Sequence, residues 1–574
     1  MEKRLLLVVI LSFIVLYASQ ALFPPKPQQS TEQPPASATP APAPGGSPTL
    51  EKPAISPAAP MPASAAQPVV ADASEREIVV ENDAVRAVFS TRGGVLTSWR
   101  LKKYAENGGG PLDLVPGKAP AGSRRPFTLI VDDAAVSTTL AQALFKPSAD
   151  AINTSTSPAT LTFEYRDASG LLARKEFAFE PRQPYEMLFS AEVTMGGAPA
   201  VPSVSWGPAL GTGVVSSGLT YSPSPQPIFY RDREVTRVSF DKIPQSRVVE
   251  GSVGFGGVDD HYFITAVLPS GQPVKLEYDP VPVPIEGSER GLHFVSWSVR
   301  FSGTPSKARF FAGPKDFDVL AGVDQDLVRA IDFGIFAWLV VPLLRALKWV
   351  NGYIGNYGWS IIALTVLINL AMFPLRHKSV VSMRKMQELQ PEVKAIQDRY
   401  AKLKMSDPAR QKMNVELMNL YRERGVNPAS GCVPMLLTLP VLFAFYSMLS
   451  VAIELRGAPF VGWIKDLSVH DPWFVTPILM GATQFVQQKM TPATGDPAQQ
   501  RMMLFMPLIF MTMFIWAPSG LVLYWTASNL WAIGQQVVTN RLIGPAPQRA
   551  VRPAAERRIK SAGAGKSDAA KERK

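Results

Sequence analysis

The chain has 574 residues, a net charge of +11, one cysteine and four histidines. That length excludes a single-domain protein, and a lone Cys432 excludes an intramolecular disulfide or a cysteine-based metal centre. The histidines (His261, His293, His377 and His470) form no HExxH-type pair, so neither a metal nor another cofactor is expected. The excess positive charge lies between Arg376 and Gly431 and after Asn540. Clustering of this kind reads as membrane topology and surface attraction, not as a nucleic-acid enzyme.

At the N-terminus, Lys3 and Arg4 precede the apolar run Leu5–Tyr17, and Ser19-Gln20-Ala21 resembles a small-residue cleavage site. Residues 1–23 fit both a cleaved signal peptide and a retained transmembrane anchor. Residues 24–70, dense in Pro and Ala, form an extended spacer. From 71 to 315 short alternating runs are broken by Gly and Pro. Ile78–Val80, Ala84–Ser90, Leu161–Tyr165, Glu176–Phe179, Met187–Val193, Phe263–Val267 and His293–Phe301 suit strands with one buried face. With no convincing helical stretch among them, they predict a large β-sandwich domain.

In 316–358, the apolar stretch Phe333–Leu344 ends at Arg345 and Lys348, short for a span. It predicts an amphipathic helix lying in the membrane interface. Five apolar segments follow within 359–540: Trp359–Leu375, Cys432–Ile453, Pro472–Met490, Met502–Trp516 and Gly520–Val538. With the anchor they make a polytopic α-helical membrane protein of six transmembrane helices, five of them in one core. Both termini and the basic connections then fall on one side, as the positive-inside rule requires, and the β-domain on the other. Within the spans Asn369, Thr438, Gln484 and Asn529 stand out, because an amide or hydroxyl in lipid needs a partner.

The first two core segments are joined by 376–431, read as a cytoplasmic helical hairpin. Met386, Leu389, Val393, Ile396 and Tyr400 recur at spacings of three and four, the seam of a packed helix. Pro391 interrupts it near its start, Asp407-Pro408 opens a second helix, and Gly425 ends that helix. Arg384, Lys385, Lys394, Arg399, Arg422 and Arg424 give the hairpin basic faces suited to anionic lipid, a ribosome or substrate. The tail 541–574 is basic as well. Its Gly565-Lys566-Ser567 is a chance near match to a P-loop, since Lys560 occupies the place of the first glycine.

Together, Asn427-Pro428, Gly431-Cys432, Glu454-Leu455-Arg456, Asp466-Leu467-Ser468, Pro477–Gly481, Gln488-Lys489-Met490, Pro518–Leu521 and Ser528-Asn529-Leu530 closely resemble the YidC family of membrane protein insertases. Upstream, Thr91–Gly94 and Gly313-Pro314-Lys315 look like the periplasmic domain of its Gram-negative members. The resemblance implies an ATP-independent insertase and chaperone of the cell inner membrane, acting alone and beside the Sec translocon on nascent membrane proteins. It also implies five helices around a hydrophilic groove open to cytoplasm and lipid. Family members carry an arginine between Thr365 and Pro374 where this chain has Asn369. The nearest cation, Arg376, follows about two helical turns later.

By resemblance the groove takes Thr365, Asn369, Thr438, Tyr524 and Trp525, with Gln484 and Asn529 the further polar residues of the spans. Tyr524 and Trp525 read equally well as packing aromatics. The methionines at 502, 503, 506, 511 and 513 suit either a compliant sliding surface or ordinary helix packing. Two other functions compete. A transporter or channel would favour inverted repeats, which the sequence lacks. A sandwich enzyme would use His261 and His293 as acid and base, on fold analogy alone.

Overall fold

A computed structural model describes residues 67–543, apart from 107–108, 118, 121, 211–223, 284–291, 304–306, 401–408, 426–432 and 491–496. The expected anchor, the spacer up to 66, Asp407-Pro408, Cys432 and the tail from 544 lie outside the described residues.

From Pro68 to Pro314 the chain forms three sheets of eleven, five and five strands. Every strand pairing is antiparallel except that of Glu77–Glu81 with Ala151–Asn153. Six of the seven strand segments read from the sequence lie within these strands, and the seventh, Ala84–Ser90, overruns its strand (Val85–Ser90) by Ala84. Among the described residues one α-helix, α1 (Ala134–Gln142), and one 3-10 helix, Phe240–Gln245, interrupt them, and the alternation pattern had hidden both. Asp133 caps α1, its carboxylate accepting from the amides of Ala135 and Val136.

The core is aromatic. Phe127 meets Phe177 and Phe189 at ring-centroid distances of 4.9 and 4.8 Å, and Trp206 stacks on Trp297. Alternation along Leu171–Phe179 turns Leu171, Ala173, Phe177 and Phe179 inward, and Lys175 with them. Its ammonium donates to the carbonyls of Gly93 (2.6 Å), Phe127 (2.7 Å) and Gly94 (3.2 Å). Gly93 and Phe127 have left-handed backbones, at φ of 72° and 70°, so a buried cation closes two turns whose carbonyls no strand takes up.

Past Pro314 the chain is helical. The helices are α2 (Phe317–Val323), α3 (Ala337–Ile354), α4 (Tyr357–Ala371), α5 (Phe373–Glu388), α6 (Gln390–Arg399), α7 (Ala409–Glu423), α8 (Val433–Val451), α9 (Val475–Met490), α10 (Pro497–Met513) and α11 (Ser519–Ile543). The five apolar segments of the sequence correspond to α4, α8, α9, α10 and α11. By length and composition one helix in the described residues is long and apolar enough to cross a bilayer alone, and it is Gly334–Ile354. Tyr357–Ala371 and Phe373–Ser382 meet the same test as a pair bent by 53°. The apolar stretch read as ending at Leu344 is therefore part of a longer helix that runs through Arg345 and Lys348. Shorter apolar helices are Pro440–Val451 within α8 and Leu504–Met513 within α10, and α11 turns Asn529 and Gln535 inward.

Helices and sheets meet through charge. Asp316 caps α2 and accepts from Lys348 of α3 at 3.3 Å; Lys348 also pairs with Asp318 (2.6 Å) and with Glu454 (3.1 Å), just beyond α8. His261, read as a conceivable acid or base, is half-buried in the same joint and donates from Nε2 to the Ser450 carbonyl at 2.7 Å. Burial holds its pKa below the ordinary histidine value. His293 stacks on Phe240.

The hairpin of α5, α6 and α7 follows its predicted seam. The chain breaks at Leu389, Pro391 sits in the first turn of α6, and Leu389 and Val393 pack against Met386, Leu417, Leu420 and Tyr421. Arg424 is ion-paired with Glu392 and Arg399 with Glu416, so two of the six predicted basic residues serve the hairpin itself. Lys385, Lys394 and Arg422 are exposed, and Gly425 (φ 63°) ends α7.

Burial pushes the Lys175 pKa down to about 7, against three carbonyls that favour the ammonium, while an unfolded lysine keeps its proton to 10.5. Between these values the unfolded chain binds more protons than the folded one, so stability should rise as pH goes from 7 toward 10. Lys175→Met should abolish that slope. It should also cost about 2–4 kcal/mol by leaving three buried carbonyls without donors. Denaturant melts of the full chain in detergent, followed by tryptophan fluorescence, measure both effects.

Candidate functional site

The helices are arranged inside-out. Leu367, Leu370, Phe443, Ile478, Phe485, Leu508, Ile509 and Leu530 are exposed, whereas Thr365, Asn369, Thr483, Asn529, Gln535 and Thr539 are buried. In water this pattern would leave apolar surface uncovered; in lipid it is the favourable one.

The bend after α4 builds one wall of the site. Asn356 caps α4 by accepting from the Trp359 amide, and donates its own Nδ2 to the carbonyls of Pro459 and Phe460. Gly358 lets that loop approach, since a Cβ there would stand 2.1 Å from the Phe460 ring. Thr365 returns its hydroxyl to the Ile361 carbonyl. Pro374 lacks an N–H and cannot continue α4 without clashing one turn back, so the chain kinks at Met372 and α5 starts in a new direction.

That change of direction brings Arg376 back over α4. Its Nη1 donates to Asn369 Oδ1 at 2.7 Å, and Asn369 Nδ2 donates to the Thr365 carbonyl at 2.8 Å. The opposite wall is α9 against α11. Asn529 ties them, donating to the Met480 carbonyl and the Thr483 hydroxyl at 3.3 Å each. Tyr524 stacks on Phe445 of α8 at 4.5 Å, and Trp525 packs on Phe510 of α10 and on Phe514 just beyond its end.

Between the walls is a cavity of about 610 Å³. Of the seven predicted groove residues, Thr365, Asn369, Gln484, Tyr524, Trp525 and Asn529 line it; the Thr438 side chain lies outside the described residues. Tyr524 and Trp525 both pack and line. The lining methionines among the described residues are Met372 and Met490; on α10 Met506 and Met513 face outward, and the side chains of Met502 and Met503 lie outside the described residues. Sequence reading missed Gln487, Gln488, Ser528, Gln535 and Gln536. The spacings of Gln487 and Gln488 from Gln484 (three and four) and of Gln536 from Asn529 (seven) were the available signal. Arg376 is the one charged residue in the described lining. A cation here, beside many neutral hydrogen-bonding groups and no carboxylate, suits an anionic or strongly polar guest.

Comparison with known proteins places both halves of the chain. A family described as "60Kd inner membrane protein" matches residues 349–546, and one described as "YidC periplasmic domain" matches 77–346. The "Membrane protein insertase YidC" of Geobacter metallireducens is 36% identical over 569 residues, covering 95% of this chain and 99% of the relative. That of Syntrophus aciditrophicus (strain SB) is 35% identical over 564 residues, covering 94% and 100%. A structure titled "Active YidC insertase crystal structure with the first transmembrane domain resolved" aligns over 83% of this chain and 95% of that one, with 19% identity and a TM-score of 0.33.

In a Cys432→Ser background reconstituted in vesicles, Ser528→Cys and Gln488→Cys should react with a water-soluble maleimide. Leu367→Cys and Leu370→Cys, on the outward face, should not. The reverse pattern would mean that the cavity is dry and the outer faces are wet.

Proposed function

The chain belongs to the YidC family of membrane protein insertases, and from that premise we infer how its cavity works. It is an insertase of the inner membrane with a periplasmic β-domain, and not an enzyme. Family membership sets aside the transporter and sandwich-enzyme alternatives. The cavity receives the polar flank of an entering hydrophobic segment, whose apolar part moves out between the helices into lipid. A wet, hydrogen-bonding cavity shortens the stretch of hydrocarbon that polar groups must cross, which is the costly part of the passage. Burial of the apolar segment in lipid supplies the drive.

The observation that carries this reading is the inside-out bundle with one cation in its cavity. Arg376 supplies the attraction for acidic flanks, and Asn369 is its positioning residue. The charge that relatives place in the helix is here delivered from the next one, through a 2.7 Å hydrogen bond.

For topology, the reading is six crossings, with both termini and the hairpin cytoplasmic. Helix α3 then lies along the outer half of the bundle without crossing it. Just before α3, Phe336 and Phe333 meet Phe443 and Ser447 of α8, and Lys348 reaches Glu454 beyond the end of α8, which supports this reading. Nascent membrane proteins are the substrates. The Sec translocon and the ribosome are partners by family, the latter or anionic lipid through Lys385, Lys394, Arg422 and the basic tail.

Insertion into vesicles reconstituted with the pure protein tests the cavity. Arg376→Leu should slow substrates with acidic translocated tails about tenfold, equivalent to about 1.4 kcal/mol, and strongly apolar ones little. Asn369→Leu should act in the same direction but less, and add nothing to Arg376→Leu. Asn369→Arg combined with Arg376→Leu should restore the acidic substrates. Equal rates throughout would remove Arg376 from the mechanism. For topology, introduced cysteines at Lys385 and Arg422 should label only from the cytoplasmic side; labelling from the outer side would invert the assignment.

A further inference from the structure

The cavity holds more amide than its single cation accounts for. Gln484, Gln487 and Gln488 on α9 face Gln535 and Gln536 on α11. Gln484 lines the cavity, and its Oε1 is buried without a hydrogen-bond partner among the described residues. A primary amide offers one acceptor and two donors and carries no charge. It therefore complements an N–H and a C=O alike, whatever side chain is attached.

A polypeptide on its way into lipid presents that chemistry. Until it forms a helix its main-chain amides are unpaired, and each unpaired group in hydrocarbon costs several kcal/mol. At the helical rise, Ser528 to Gln536 covers about 12 Å, the length of about four residues of extended chain. Val441, Leu442 and Ile533 line the same cavity and offer apolar surface beside the amides.

We propose that the glutamine cluster of α9 and α11 is a binding site for the unpaired main chain of the substrate, a sequence-independent counterpart to the charge-reading Arg376. The site rests on the insertase reading of the cavity and adds what part of the substrate it holds. Gln484 and Gln487 on one wall and Gln536 on the other exchange hydrogen bonds with successive peptide groups. The substrate gives them up as it closes its own helical hydrogen bonds and leaves for lipid.

The test compares a single-span substrate having ordinary peptide linkages with the same substrate carrying ester linkages at several positions of its translocated flank. Esters lack the N–H and accept weakly. With full-length protein in vesicles, Gln484→Met with Gln487→Met should slow the peptide-linked substrate about tenfold, or about 1.4 kcal/mol. The ester-linked one should slow no more than about twofold, because the contact removed is one it does not make. Equal slowing of both, or of neither, overturns the proposal while leaving the cavity reading intact. The cavity reading itself fails if the Arg376 variants also insert every substrate at the parent rate. If the paired variant melts below the parent, Gln536→Met on the facing wall carries the same comparison.

Discussion

Hydrocarbon has no water to satisfy a polar group, and this constraint organises the helical half of the molecule. A guanidinium can stay there only if something holds it, and Asn369 does so, itself anchored on the Thr365 carbonyl. The amides of α9 and α11 face the same space for the same reason. Their outward faces are left to Leu, Ile and Phe, which lipid accepts. A cavity built this way is polar without being filled. A polar flank can occupy it for a time, and an apolar segment has no reason to remain.

Outside the bilayer the constraint relaxes and charge is used differently. Lys348 gathers Asp316 and Asp318 from the start of α2 and Glu454 from the loop beyond α8, and these close contacts join the end of the β-domain to α3 and to that loop. Glu454 is largely buried, and that burial raises its pKa even though Lys348 opposes the shift. Removing one partner would strand a desolvated charge, so the joint resists separation more than its net strength suggests. The β-domain has its own version in Lys175, whose ammonium is held by three backbone carbonyls and lies over the Phe145 ring.

Much of this was legible in the chain itself. Alternation marked the strands, apolar runs and basic connections marked the helical core, and isolated Asn and Gln inside those runs marked what had to face a cavity. The heptad-like seam from Met386 and the stops at Pro391 and Gly425 marked the hairpin. These are local or periodic signals, and physics writes them into consecutive residues: a side chain's face follows from its position in a period of 2 or 3.6.

The location of the cation was not of this kind. In the sequence Arg376 stands about two helical turns beyond Asn369, and a straight helix would have carried it away from that residue. The kink at Met372, caused by Pro374, folds it back onto Asn369. Likewise, nothing in the alternation of Leu171–Phe179 says what an inward lysine will meet; the carbonyls of Gly93, Gly94 and Phe127 come from strands and turns far away in the chain. The five glutamines become one site only when α9 packs on α11. Sequence by itself determined which groups must avoid lipid or seek a core, because that depends on chemistry and period. Only the tertiary structure decided which of them meet, because a meeting depends on bend angles and helix packing that no local pattern encodes.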